Sequence, residues 1–467
     1  MSKFLPIDME DPMSTLCRMV LETQYEDLPD NVINYAKRSI LDTIGVIIGG
    51  SAMEGIPAVV NLVKDRGGKP ESIIPFYGGK VPASEAALCI GPMARAMDFG
   101  DVHEEAGHSS EYTVPALLAA TGLKDKVTGK EFITAYVVGQ EVMIRIGMAF
   151  KAISRGTDYA RLHGSSIFGV VAAIGKLLGL TQEELENAEG IASAMTQPHI
   201  TTMYHPVTLI LRVHHGFICQ DAVNACLLAR RGITGPRKEV LAAPSGYLGF
   251  AKWETDPTIL TKALGEEWEM MGSMMKRFAS RKPTHAVIDG LLDLTRENRF
   301  KADDIANIDV DVSSADPLSL SPSREAQWNP QTVHECQFSL PYVVATAAYD
   351  GDIFLDSYTP EARARQNVRD LMTRITIKED PRLPTWGARV NTTLNSGKKY
   401  SRECIYPKGH PKLPFTEQEL IDKFKRCVHY SACKLSETVV DSVITSLLNL
   451  ERVDDVVNTL LVPLMPE

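Results

Sequence analysis

Between Leu28 and about Leu264 the sequence repeats one pattern: apolar residues at helical spacing, often on more than one face of a segment, punctuated by glycine and proline. A helix that is apolar nearly all round is stable only when other helices surround it, so these segments belong in the centre of a large helical bundle. Val32, Ile33, Ala36, Ile40, Ile44 and Ile47 follow Asp30, which is expected to cap their helix, and Gly49-Gly50 is expected to end it. Further helices are predicted from Ala83 to Met97 after Pro82, from Gly129-Lys130 through Ile146, and from Phe217 to Ala229 before Arg230-Arg231-Gly232. Thr181 and Glu184 form a capping box that opens a helix through Ala192. From His163 to Leu178 the small residues Gly164, Ser165, Ser166, Gly169, Ala172, Ala173 and Gly175 mark a helix that others can approach closely.

The texture changes after about Gly272. Ile305 to Val312 alternates apolar and polar residues as a half-buried strand does, Arg374 to Ile377 and Val390 to Leu394 read likewise, and Asn395-Ser-Gly397 before Lys398-Lys399-Tyr400 reads as a hairpin turn. Helical runs surround them, Thr284 to Glu297 and Ser339 to Ala348, and the helical pattern returns at Thr416 to Phe424 and Glu437 to Leu448. The fold class expected is therefore mainly α: a large all-helical domain with an inserted smaller α+β domain. Residues 1–272 would form the first part of the helical domain, 273–411 the insertion, and 412–467 the helices that return. A chain of 467 residues exceeds one ordinary core, which agrees with two.

Net charge is -10 with Lys and Arg dispersed, so the field that draws nucleic acid has no evident source. No apolar run reaches the roughly 20 residues of a membrane span, and the opening residues lack the flanks of a secretory signal, so a cytoplasmic protein is expected. The eight cysteines form no C-x-x-C pair, which speaks against a disulfide framework, a zinc knuckle or a thiolate-bound cluster, and reads as small buried residues. An acidic chain that handles an anion must concentrate positive charge locally.

Four segments carry candidate chemistry. Asp98 to Ser110 holds Asp98, Asp101, His103, Glu104, Glu105 and His108 in a glycine-punctuated stretch, where Asp98 could orient an imidazole and His108 exchange a proton near neutral pH. The same residues would also suit a solvated acidic turn, a helix cap at Asp101 or, on a weak H-x-x-x-x-H pattern, a metal. His163 stands at the mouth of a small-residue helix, whose free N–H groups favour a carboxylate. Arg212, His214 and His215 precede an apolar helix and are as readily core groups as ligands, with His199 and His205 upstream. Lys276, Arg277, Arg281 and Lys282 form a basic cluster at the expected domain junction, either a solvated turn or the local positive field the chain otherwise lacks.

Together with Ala36 to Gly45, Ala96 to Asp101, His215-Gly216 with Gly232 to Gly235, Lys276-Arg277-Phe278 and Phe338 to Tyr342, these segments resemble the MmgE/PrpD family over nearly the whole chain. That family's activities include dehydration of 2-methylcitrate, decarboxylation of cis-aconitate and epimerisation of iminodisuccinate. The resemblance implies a helical domain with an α+β lid, a homodimer, a site between domains, and no cofactor or metal. It implies that the aspartate, two histidines and lid lysine of the decarboxylase branch match Asp98, His108, His163 and Lys276, while Arg281 stands where that branch can place a histidine. Three positions depart from that branch: Val102 replaces a threonine, Leu211 a lysine, and Pro317 falls near the place of a tyrosine. His103 and His214, which that branch lacks, would compensate, and Arg212, Arg277 and Arg281 would help bind the substrate.

The expectation is a lyase for a small anionic polycarboxylate, with His163 or His108 removing the proton α to a carboxylate and Lys276 stabilising the enediolate. Loss of a β-hydroxyl gives dehydration, the outcome favoured, because the departures disfavour the decarboxylase. Reprotonation gives an epimerase instead, and loss of activity would leave a ligand-binding protein.

Overall fold

The computed structural model describes residues 11–150, 159–196, 208–242, 245–250, 254–313 and 327–466, with the backbone alone at 159–164 and 250. The chain is mainly helical. Among the described residues nine helices come first: α1 Pro12–Glu22, α2 Asp30–Gly50, α3 Ile56–Arg66, α4 Ala83–Arg95, α5 Ser110–Ala120, α6 Gly129–Met148, α7 Tyr159–Leu178, α8 Gln182–Ser193 and α9 Ile210–Ala229. The short pairs β1 Ser72–Ile73 with β2 Lys80–Val81, and β3 Val102–His103 with β4 Ser273–Met274, lie among and after them. Then follow α10 His285–Asn298, β5 Ile305–Val312, α11 Val333–Phe338, α12 Leu340–Asp350, α13 Gln366–Met372, β6 Ile375–Glu379, β7 Ala388–Leu394, β8 Lys399–Cys404, α14 Glu417–Val428 and α15 Glu437–Leu448.

Local sequence explains most of these boundaries. The box expected at Thr181 is present, and equivalent boxes at Thr128 and Thr416, whose side chains accept from the N–H three residues on, open α6 and α14. Asp30 does not cap α2: Pro29 holds that place, and Asp30 sits in the first turn, where a carboxylate still suits the helix dipole. Helix α2 ends at Gly50, as expected, and that position admits only glycine because a Cβ there would lie 1.9 Å from the Met93 carbonyl oxygen. Helix α9 starts seven residues before the predicted Phe217, so Arg212, His214 and His215 ride on its first turns instead of preceding it.

Helix α9 also crosses α4 at close range. Pro92 lies inside α4 and cannot bond the Leu88 carbonyl, and α9 packs there through Gly216, where a Cβ would fall 2.6 Å from that oxygen. Gly91 faces the same point at 2.9 Å from Gly216 Cα, so only glycine allows the two helices this approach and presents His215 at the crossing.

Among the described residues, buried apolar side chains form two clusters. One fills the space among α1 to α9, and the other gathers around a four-stranded sheet of order β6-β5-β7-β8 while taking in Val46, Met97, Phe99 and Cys427. Strand β5 pairs parallel with β6 and antiparallel with β7, and the expected hairpin joins β7 to β8 through Gly397 at φ 84°. Helix α14 returns to α2, where a Cβ on Gly45 would meet Phe424 at 3.0 Å. Among the described residues no helix is long and apolar enough to cross a membrane.

Two contacts tie these parts together. The β3–β4 pairing, Val102 opposite Met274 and His103 opposite Ser273, joins stretches that lie about 170 residues apart. Lys423 on α14 is buried, pairs with Asp42 of α2 at 2.6 Å, and donates to the carbonyls of Phe99 at 3.0 Å and Lys276 at 2.8 Å. Removing one member of such a pair leaves the other charge buried and uncompensated. Asp42→Ala is therefore expected to cost about 3–5 kcal/mol in urea unfolding, and the double change Asp42→Leu with Lys423→Met to cost clearly less than the single changes add up to.

Candidate active site

The chain leaves α4 at Arg95 and turns through Asp98, which adopts φ 51°, a left-handed conformation that Asp tolerates better than most residues. The turn brings the carboxylate back against Arg95, which donates a charge-assisted hydrogen bond from Nη1 to Oδ1. Lys276, two residues past β4, reaches the same Oδ1 at 3.1 Å and also donates to the Asp98 carbonyl at 3.0 Å. Burial alone would push the Asp98 carboxyl up, but Lys276 and Arg95 reverse this and hold it well below the usual carboxylate range. Burial also lowers Lys276, against the pull of Asp98. Gln337 of α11 braces the turn by donating to the carbonyls of Met97 at 2.9 Å and Ala279 at 3.2 Å.

His108 stands beside this centre. Its Nδ1 lies 2.8 Å from the Asp101 carbonyl oxygen, which can only accept, so the proton sits on Nδ1 and Nε2 carries the lone pair. Burial first, and then the nearby Arg95 and Lys276 cations, keep its pKa well below the ordinary histidine value, so the ring is neutral. It retains 12% side-chain exposure against 1% for Lys276, and is thus the more accessible of the two. Asp101 is turned away to serve α5: it accepts from Ser110 N at 3.0 Å, Ser110 Oγ at 2.7 Å and Ser109 Oγ at 3.0 Å. This is the cap reading of Asp101, and it coexists with the acid/base reading of His108.

Two further groups join the cluster that the sequence reading did not single out. Arg95 is the last residue of α4, and Glu111 is the second of α5; both look like ordinary helix-end charges, and only their burial between apolar segments hints otherwise. Glu111 Oε2 lies 3.4 Å from His108 Nδ1, 3.7 Å from Arg95 Nη1 and 3.7 Å from His215 Nδ1. His215 stacks on Tyr112 with ring centroids 3.8 Å apart.

The other expected residues are distributed more widely. Helix α7 begins four residues before His163, whose side chain lies outside the described residues, as do His199, His205 and Pro317. His103 is not brought to the cluster: its Nδ1 accepts from the N–H groups of Glu105 and Ala106, its other edge faces Gly272, and burial lowers its pKa to about 4. Arg277 also departs from expectation. It follows Lys276 directly, points the opposite way, and pairs with Asp289 at 2.6 Å in a cavity of about 650 Å³ that neither Asp98 nor His108 lines.

Arg212 is buried and donates to His334 at 2.9 Å and the Glu54 carbonyl at 2.9 Å, so it braces α9 against α11. His214 packs edge-on to His215 at 4.4 Å, with Nδ1 3.3 Å from the Ile210 carbonyl, and burial lowers it to about 3. Arg281 is 5% exposed, and its guanidinium lies over Phe338 at 5.9 Å. Val102 and Leu211 are both buried apolar residues. Among the described residues no group of three or more His, Cys, Asp or Glu side chains is placed to hold a metal.

The arrangement combines two buried cations, a carboxylate that holds them in place and a neutral imidazole whose lone pair lies on Nε2, a set suited to moving a proton next to an anionic group. The chain is 28% identical to the cis-aconitate decarboxylase-like protein oryM of Aspergillus oryzae, over 94% of this chain and 95% of that protein. It is 26% identical to the cis-aconitate decarboxylase of Mus musculus over 94% and 90%, and 26% identical to the 2-methylcitrate dehydratase of Cupriavidus necator over 89% and 90%. Residues 14–258 match the MmgE/PrpD N-terminal domain and residues 278–445 the MmgE/PrpD C-terminal domain, so this chain belongs to the MmgE/PrpD family.

Proposed function

We propose that the chain is a lyase for a small polycarboxylate, removing the proton α to a carboxylate and expelling a β-hydroxyl as water. The observation that carries this reading is the neutral His108, its Nδ1 engaged by the Asp101 carbonyl, standing beside the buried Arg95–Asp98–Lys276 centre. A substrate carboxylate would lie against the Lys276 ammonium, and Nε2 of His108 would take the α-proton. The electron pair of the broken C–H bond would spread into that carboxylate as an enediolate, whose added charge Lys276 and Arg95 offset from fixed positions. Collapse of the enediolate would form the C=C bond as the β C–O bond breaks, and the departing hydroxyl would take a proton from the imidazolium or from His163, leaving as water. Asp98 has a positioning role, holding both cations without itself titrating.

Dehydration is favoured over decarboxylation because Val102 and Leu211 supply neither a hydroxyl nor a cation. The names of the relatives direct the first trials to 2-methylcitrate and cis-aconitate. Incubation of hydroxy-, imino- and unsaturated polyacids in heavy water, followed by proton NMR, is expected to give an unsaturated product from a hydroxy polyacid. Exchange of the α-proton without elimination would instead make the protein an isomerase, and thermal stabilisation without any turnover would make it a binding protein.

On the substrate that screen identifies, Lys276→Ala should lower kcat by about 10²- to 10³-fold and His108→Ala by about 10²- to 10⁴-fold. Undiminished turnover in either variant would remove that residue from the scheme. The pH profile carries a further expectation. A base acts only when unprotonated, and His108 is depressed well below its ordinary value, so the acid limb of kcat/KM should fall below the usual histidine range, with activity retained at pH values where a solvent-exposed histidine is already charged. A limb at the ordinary histidine pKa would point to another base.

A further inference from the structure

Glu111 takes no part in the scheme above, yet it occupies the middle of the centre. It is 0% exposed, and a socket is built for it: Oε1 accepts from Gly100 N at 3.1 Å, and a Cβ on Gly100 would fall 2.3 Å from that oxygen. The glycine at 100 is thus matched to the glutamate at 111. Its Oε2 faces Arg95 of α4, His108 of its own loop and His215 of α9, at the distances given above. Among the described residues, Asp98 and Asp101 from the preceding loop and Lys276 from the segment after β4 are further charged groups that act on it.

These neighbours give the carboxyl a defined electrostatic effect. Asp98 already engages both cations, so a second ionised carboxylate 3.7 Å from Arg95 would lower the net charge of the centre by one unit at the place where a substrate carboxylate must be held. A protonated Glu111 fills the same socket without that cost.

We propose that Glu111 is a substrate-binding determinant: it carries a proton while the anionic substrate is captured, and its ionisation weakens capture by cancelling positive charge that Arg95 and Lys276 present. The proposal rests on the polycarboxylate reading of the site and deepens it. Burial, opposed by Arg95 and Lys276, pushes the Glu111 carboxyl up to about 8, which agrees with a proton held at neutral pH and lost in mildly alkaline solution. The sign follows: binding is strongest below that value and weakens above it, opposite to a site that needs an ionised glutamate.

Tricarballylate, a tricarboxylate with no leaving group, is the probe. In the intact wild-type chain its dissociation constant should rise by up to about tenfold per pH unit above the midpoint, and calorimetry in buffers of different ionisation heat should show proton uptake on binding there. In Glu111→Gln the change between about pH 7 and 9 should shrink to less than about threefold, whatever the affinity at the lower pH. An unchanged slope in Glu111→Gln would assign the effect to another group, Lys276 first, and overturn the proposal. Absence of proton uptake by the wild-type chain would overturn it equally, and that measurement needs no variant that folds. Failure of tricarballylate and the whole polyacid panel to bind at any pH would overturn the polycarboxylate reading itself, an outcome distinct from normal binding with an unaltered slope.

Discussion

The Lys423 ammonium is the contact on which the rest of the site depends. It comes from α14 near the end of the chain, pairs with Asp42 in the middle of α2, and donates to the carbonyls of Phe99 and Lys276 while lying 4.0 Å from the centroid of the Phe99 ring. Phe99 follows Asp98, so one buried cation fixes the backbones that carry both the carboxylate and the ammonium of the centre. A buried charge is tolerated only when its donors are used, and here two carbonyls and a carboxylate use them. The Asp98–Lys276 distance is therefore a property of four separated sequence stretches held at one point, and not of either loop alone.

That rigidity bears on chemistry. Charges placed around a developing enediolate are useful in proportion to how little they must move, because a group that reorganises during the reaction returns much of its benefit. Lys423 holds the Lys276 carbonyl, Gln337 holds the Met97 carbonyl next to Asp98, and Arg95 faces Glu111 as well as Asp98, while Asp98 itself is held by the two cations. The centre is thus organised before a ligand arrives, and His108, with its partial exposure, is the group left to meet one.

Much of this could be read from the sequence because it is written locally. Alternation in Ile305 to Val312 gave a strand, the Thr181 box gave a helix start, and Gly397 gave a hairpin, each depending on residues a few places apart. The density of ionisable groups between Asp98 and His108 and the basic run at Lys276 likewise marked two stretches that the fold brings together. What escaped was set at long range. Nothing near Glu111 announces that Gly100 will leave room for it, and Lys423 reads as one more charge on an amphipathic helix until α2 is placed beneath it. The start of α9 was set too late because its first residues were read from their histidines, whereas the helix already runs through them from Ile210.

Neighbouring residues can also part company, and the basic run shows how. Lys276 and Arg277 look interchangeable as a source of positive field, but their side chains find different partners, Asp98 for Lys276 and Asp289 for Arg277. Lys276 enters the buried centre, whereas Arg277 lines the cavity of about 650 Å³ on the other side of Phe99 and Lys423. In that cavity the charges are matched in pairs, Arg277 with Asp289, Arg296 with Asp293 and Lys408 with Glu419, and the pairs are partly open to water, which screens them. A cavity with cancelled charge offers little to an anion. The buried centre, where two desolvated cations share Asp98 and a second carboxyl is pushed toward its neutral form, retains a positive field of the kind that attracts an anion.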